Sequence, residues 1–321
     1  MKPALIIGST CVDVIINLDH LPRTGQNLRP HSQSMALGGC AYNVAYMMRL
    51  LHAPHTLITP VGSGSYGDYV ARELTTRQIP ILVRVPDQEN GCCYCLVEDS
   101  GERTFLSVHG AEYTFQKSWM DPYPSSDYEL VYVCGLEIEE PTGIHLIEYL
   151  EEHPGLKVCY APGPRGVRIP SWKHNRIMKL LPFLHLNQQE ALELSNAHSF
   201  EQAGDILCSQ TQNTVVITLG RQGAYCKEKS GGSYLVPSVP CEHIVDTIGA
   251  GDAHIGTILA LLTRDVPLCQ AIACANEAAG AVVGIQGASL PAEKVPESLK
   301  KYCLEGLETC YQQAGDRNMQ R

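Results

Sequence analysis

No stretch of this chain is long and apolar enough to span a bilayer, so no membrane partner is expected. Basic residues are in deficit. With 24 Lys and Arg against 34 Asp and Glu, a formal charge of −10 and a pI near 5.6, the surface is unsuited to a nucleic-acid backbone. The first apolar run is not followed by G-x-G-x-x-G, the turn a dinucleotide-dependent oxidoreductase would place there. Internal repeats, low-complexity tracts and linkers are also missing. The fourteen cysteines lie mostly within apolar segments and read as small buried hydrophobes of a reducing compartment. One C-x-x-C, Cys92 to Cys95, has no second pair or C-x-x-H to complete a tetrahedral zinc set.

What is present is a globular composition and an alternating pattern. With 321 residues, 44% apolar and 18% charged, the chain can bury a large core as one large domain or two smaller ones. Met1-Lys2-Pro3 leads straight into Ala4-Leu5-Ile6-Ile7-Gly8, a buried first strand rather than a cleavable signal, so the cytoplasm is the expected location. Apolar runs at 56–62, 130–134, 156–160, 183–186 and 215–220 alternate with helical patterns at 66–77, from 143, at 172–180, 190–194, 253–262 and 268–283. Strands alternating with helices predict a parallel sheet covered on both faces. A last amphipathic helix is expected over 297–310, then a polar, frayed tail at 314–321. Two strand-rich stretches, about 14–34 and 90–110, interrupt the alternation, and the second carries a hairpin signal around Ser100-Gly101. They are predicted to pair into a small sheet that covers the ligand and excludes water.

The chemistry gathers at Val245-Asp246-Thr247-Ile248-Gly249-Ala250-Gly251-Asp252, which runs into an apolar helix. Gly249, Ala250 and Gly251 leave bare amides at a helix N-terminus, where free donors and the dipole favour an anion. Asp252, in the first turn, can take a proton from a hydroxyl while those amides hold developing negative charge. Phosphoryl transfer to an alcohol requires both. An aspartate cap after a glycine-rich turn would present the same residues. Asp13 leaves the core where ligands bind in open parallel sheets, and can hold a polyol or simply close a turn. Gly38 and Gly39 let backbone approach a ligand. Asn43, early in the next helix, can reach a sugar hydroxyl over them or sit as a satisfied buried amide.

Together these motifs resemble those of the ribokinase-like sugar and nucleoside kinases, the PfkB carbohydrate kinase family, over essentially the whole chain. Gly38-Gly39-Cys40-Ala41-Tyr42-Asn43-Val44-Ala45 with Gly62 is similar to the family's N-terminal signature, and Asn187-Gln188-Gln189-Glu190 to its N-x-x-E. Thr218-Leu219-Gly220-Arg221-Gln222-Gly223 resembles its T-x-G-x-x-G nucleotide turn, and the stretch from Asp246 to Asp252 its D-T-x-G-A-G-D. The resemblance implies a three-layer α/β/α ribokinase-like sandwich with a mostly parallel central sheet. It also implies a single domain over 1–321, with a small β-sheet lid formed by about 14–34 and 90–110. Asp252 would be the catalytic base and the amides of Gly249, Ala250 and Gly251 the anion hole. Asp13, Gly38, Gly39 and Asn43 would hold the acceptor; Thr218, Gly220 and Gly223 would line the nucleotide groove, with Asn276 toward the adenine. Asn187 and Glu190 would order Mg²⁺ and the triphosphate of ATP, Glu190 through water. A potassium ion is implied beside Asp246 and the 284–289 loop. Arg165 is a candidate contact for phosphate or acceptor, and Arg103 and His109 of the hairpin for the ligand. The chain departs from the family pattern at His52, at Thr257, and at Ala161, where an aspartate normally precedes proline.

The implied activity is transfer of the γ-phosphoryl group of ATP to a hydroxyl of a small sugar or sugar derivative. A nucleoside kinase of the same family is the alternative. A non-catalytic sugar-binding regulator is a second, although it would have no reason to keep the base and the anion hole. The half-covered lid sheet implies a homodimer.

Overall fold

Four consecutive buried residues, Ala4–Ile7, form a strand near one edge of an eight-stranded sheet in the computed structural model, which describes residues 2–241 and 244–303. Across the sheet the strands are His55–Ile58, Ala4–Ile7, Leu130–Cys134, Lys157–Ala161, Phe183–Asn187, Val215–Thr218, Ala224–Lys227 and Ser233–Val236. The first six run parallel and the last two fold back as an antiparallel hairpin. Alternate side chains enter opposite cores. Ile6, Tyr132 and Val216 pack toward helices Cys40–Leu50, Ala250–Leu262 and Leu268–Val283. Leu5, Ile7, Val131 and Val133 pack toward helices Gly143–Glu152, Ser171–Met178, Gln188–Ser195 and Phe200–Thr211. The result is the three-layer α/β/α sandwich, buried on both faces as a parallel sheet must be.

A second sheet joins the two strand-rich stretches in the order Ser32–Gly38, Cys11–Leu18, Cys92–Glu98, Arg103–Val108. Its central pair is parallel and its outer pairs are antiparallel. Val12, Val14 and Leu37 turn one face into a core with Tyr42, Val61, Val70 and Leu74. Asp13 and Cys93 belong to the opposite face, since side chains alternate along a strand.

The structure also departs from the sequence pattern. The run 56–62 is two strands, because the chain breaks at Thr59 and Pro60–Ser63 pairs instead with Val83–Glu89 in a separate two-stranded sheet. Pro60 has no N–H to continue the first ladder. Strand Val83–Glu89 carries no clear periodic signal, whereas helix Phe200–Thr211, absent from the pattern read above, shows one in Phe200, Ala203, Leu207 and Thr211 behind the Ser199 cap. The terminal helix starts at Glu297, as expected; its predicted continuation to 310 and the tail lie outside the described residues. No described helix is long and apolar enough to cross a membrane.

Candidate active site

Helix Ala250–Leu262 is apolar all round because it is packed between two other helices, with every residue from Ala253 to Leu261 buried. Gly256 sets its distance from helix Cys40–Leu50. A Cβ there would stand 2.9 Å from the Met47 Cβ and 3.0 Å from the Val44 carbonyl oxygen. One turn toward the N-terminus of both helices, the same close approach lets Asn43 Nδ2 donate to Asp252 Oδ2 at 2.8 Å. Burial pushes the Asp252 carboxyl up to about 7, against the hydrogen bonds from Asn43 and Cys40, and the nearby Glu137 and Asp13 push the same way.

The loop before this helix is shaped by Asp246. Its Oδ1 accepts from Ile248 N at 2.7 Å and its Oδ2 from Gly287 N at 2.9 Å. Gly249 then turns the chain into the helix at φ 73°, a left-handed conformation that favours glycine. A Cβ on Gly251 would meet nothing within 4 Å, so the helix N-terminus opens onto space. That space is a cavity of about 520 Å³ bordered by Ala250, Gly251, Thr218, Gly220, Gly223 and Asn276. Thr218, Gly220, Gly223 and Asn276 of the sequence-predicted nucleotide residues are therefore gathered beside Ala250 and Gly251, whereas Asn187 and Gly249 do not border the cavity. Gly223 is there from necessity, since a Cβ would lie 2.0 Å from the Val236 carbonyl oxygen.

Asn276 borders the cavity with its polar atoms already committed. Its Nδ2 donates to the carbonyls of Val236 and Pro237, and its Oδ1 accepts from His254 Nε2 at 3.1 Å. That proton assignment leaves His254 Nδ1 to accept from His185 Nε2 at 2.9 Å. Burial lowers both imidazoles, His254 to about 4, and keeps the pair neutral. Asn276 thus fixes the wall of the cavity. The two histidines behind it were not singled out in the sequence, because nothing local shows that they meet.

Asn187 ends strand Phe183–Asn187 directly beside Thr218. Its side chain and that of Glu190 form a reciprocal capping box on helix Gln188–Ser195: Asn187 Oδ1 accepts from Glu190 N at 2.8 Å, and Glu190 Oε2 from Asn187 N at 2.9 Å. Asn187→Ala is expected to lower stability by about 1 kcal/mol in urea unfolding. An unchanged midpoint would show that the cap contributes nothing.

On the other side of Asp252 lies a second polar group. Asp13 presses against Gly38, where a Cβ would fall 2.1 Å from its Oδ2, and a Cβ on Gly39 would fall 2.5 Å from the Ser9 carbonyl oxygen. Burial raises the Asp13 carboxyl to about 6, with Asp246 adding to the shift. Glu137, which sequence reasoning missed, is fully buried just beyond strand Leu130–Cys134. Its Oε1 accepts from Ser9 N at 2.8 Å, while Glu137 Oε2 and Asn43 Oδ1 have no hydrogen-bond partner among the described residues. The available signal was its place at the carboxyl end of a buried strand.

Three predicted contacts are already engaged with the protein itself. Arg165 makes a bidentate pair with Glu139, both bonds at 2.6 Å, rather than facing this group. His109 Nδ1 lies 2.6 Å from Glu140 and its ring stacks on Tyr113. Arg103 reaches from the small sheet to Asp246 Oδ1 at 2.8 Å, and also donates to Thr247 Oγ1 and the Val245 carbonyl. Thr257 is buried with its hydroxyl bonded to the Ala253 carbonyl. His52 lies just beyond helix Cys40–Leu50 at φ 52°.

The profile of the pfkB family carbohydrate kinases matches residues 1–295. A curated protein described as the uncharacterized sugar kinase YegV of Escherichia coli (strain K12) is 32% identical over 291 residues, spanning 89% of this chain and 90% of that protein. The crystal structure of ribokinase from Thermotoga maritima shares the fold, with a TM-score of 0.81 at 20% identity over 94% of this chain and 99% of that one. Arabidopsis thaliana ribokinase complexed with ribose and ATP aligns with a TM-score of 0.77 at 19% identity, covering 95% of this chain and 98% of that one.

Proposed function

This chain belongs to the pfkB family of carbohydrate kinases, and from that premise we propose that it transfers the γ-phosphoryl group of ATP to a hydroxyl of a small, uncharged sugar, with Asp252 as general base. The observation that carries this reading is the position of Asp252. It follows Ala250 and Gly251, which border the 520 Å³ cavity, and bonds, on its other side, to the Asn43 of the polar group. A carboxylate near pH 7 in acidity can accept a hydroxyl proton as the oxygen attacks phosphorus in line. The Gly249, Ala250 and Gly251 amides face the charge that develops on the phosphoryl oxygens. Thr218, Gly220 and Gly223 hold the nucleotide along the cavity. The small sheet acts as a lid over the acceptor.

The acceptor chemistry follows from the free groups. Glu137 Oε2 and Asn43 Oδ1 are without partners among the described residues, and Asp13, whose Oδ1 accepts only a long bond from the Cys11 thiol, keeps acceptor capacity; all three suit the hydroxyl donors of a polyol. The cations are engaged: Arg103 pairs with Asp246 and Arg165 with Glu139, and the Lys173 ammonium donates to the Ile138 and Glu140 carbonyls. A sugar acid or sugar phosphate would bring a further negative charge among carboxylates, with no uncommitted cation among these three to meet it. ATP consumption should therefore appear with neutral sugars or nucleosides and not with acidic ones. Activity confined to acidic sugars would remove the uncharged class. Sugar binding without ATP consumption across the panel would favour a non-catalytic regulator.

Mg²⁺ fits the chain in one way. Glu190 keeps one carboxylate oxygen outside the capping box, which suits a ligand held through water to a hydrated ion on the phosphates. When bound, the metal would neutralise phosphate charge. Potassium beside Asp246 would compete with Arg103. Each carboxylate oxygen already accepts one backbone N–H, and the Arg103 guanidinium, 2.8 Å from Oδ1, supplies the positive charge that a cation would have to displace. Turnover is expected to be equal in sodium and potassium, and a several-fold gain in potassium would show that the guanidinium gives way. Edge-to-edge pairing of two copies along Arg103–Val108 would cover Phe105, Leu106 and Val108, each at least half exposed. Light scattering that returns a monomer at assay concentration would remove this dimer.

A further inference from the structure

We propose that Asp13, Cys93 and Cys95 form a binding site for a thiophilic divalent cation, zinc or cadmium in class, that competes with the acceptor for Asp13. In the small sheet Asp13 stands directly across from Cys93, and Cys95 lies two residues further along the same strand. Period-two alternation puts all three side chains on one face. One ligand atom from each lies within 4.8 Å of the others. The two sulfurs are 3.9 Å apart. A tetrahedral zinc with Zn–S bonds of about 2.3 Å needs ligands separated by about 3.8 Å, so the thiol pair already spans one edge of the coordination shell.

The surroundings suit the same ion. The Ser107 hydroxyl donates to Cys93 Sγ at 3.7 Å and would orient the sulfur. Two thiolates and one carboxylate leave a fourth position for water, as in zinc sites that stay open. Hard Mg²⁺, which prefers oxygen ligands, would pass over this set. Each thiol releases its proton to solvent on binding, so capture weakens as pH falls. No spacing rule reveals the set. The C-x-x-C pair is Cys92 and Cys95, whereas the geometry uses Cys93 and Cys95 and draws its third ligand from the neighbouring parallel strand. Binding of the ion stands on this geometry alone; competition rests on the reading of Asp13 as an acceptor ligand.

The test is equilibrium dialysis of the reduced full-length protein against Cd²⁺, with the ultraviolet cadmium–thiolate band as a second readout. About one tightly held ion per chain is expected, with the band present. Cys93→Ser and Cys95→Ser, made separately, should each weaken binding at least about tenfold and diminish the band, while Cys269→Ser, on an exposed cysteine, should change neither. Asp13→Asn should weaken binding and keep the band. Unaltered melting temperatures of the serine variants guard against a folding defect. No tightly held ion, or binding indifferent to both serine variants, would overturn the site. A saturating sugar substrate should raise the Cd²⁺ dissociation constant several-fold. Tight binding at Cys93 and Cys95 that ignores the sugar would overturn competition and count against Asp13 as an acceptor ligand, leaving kinase activity itself to the ATP assay.

Discussion

Asp252→Asn is expected to lower turnover by about 10²–10⁴-fold, the range that general-base catalysis supplies, while nucleotide and acceptor affinities stay within a few-fold of wild type. The substitution is isosteric. The new amide oxygen can still accept from Asn43 Nδ2, so the packing of helix Cys40–Leu50 on helix Ala250–Leu262 is kept and only the proton acceptor is lost. A pH profile adds an independent check. Burial holds the wild-type carboxyl near 7 rather than its ordinary 3.8, so the base is protonated on the acid side and ionised on the alkaline side. Turnover should fall about tenfold per pH unit below 7 and level off above it. A flat profile between pH 5 and 8, or an asparagine variant with unchanged turnover, would remove Asp252 from the mechanism.

The second large effect is expected at Gly38. A Cβ there would sit 2.1 Å from Asp13 Oδ2, so Gly38→Ala must displace that carboxylate or the strand that carries it. Misplacing a positioning group by about 1 Å costs on the order of 10²-fold. The loss should fall on kcat/KM for the acceptor. Nucleotide affinity should be unchanged, because Thr218, Gly220 and Gly223 border a cavity that does not include Gly38. An alanine variant with an unaltered acceptor KM would show that the contact between Gly38 and Asp13 does not bear on substrate.

Much of this arrangement was legible where one local conformation demands particular residues. The 246–252 stretch is readable because a left-handed turn, a free helix N-terminus and a first-turn acid require glycine, small residues and aspartate in that order. Asn187 and Glu190 are readable for a similar reason, although the structure first reveals them as a helix cap. Glu137 was hidden because it is one of three glutamates, with Glu139 and Glu140, after a buried strand, and nothing local tells which of them turns inward; its full burial and the missing partner at Oε2 mark it in the structure. The ion pair of Arg103 with Asp246 joins residues that no local pattern links. Strand Val83–Glu89 contains Pro86 and four consecutive exposed residues, so it lacks the alternation by which strands are recognised.

That ion pair has a consequence for how the two substrates sense each other. Arg103 starts the outer strand of the sheet that carries Asp13, and its guanidinium ends on the carboxylate that shapes the loop before helix Ala250–Leu262. In the lid role proposed above, a bound acceptor that holds the small sheet closed would keep this counter-charge on Asp246 and the loop in its present shape, ready for the triphosphate. Saturation with either substrate should tighten the other by one common factor, as thermodynamic reciprocity demands, and Arg103→Met should abolish that synergy.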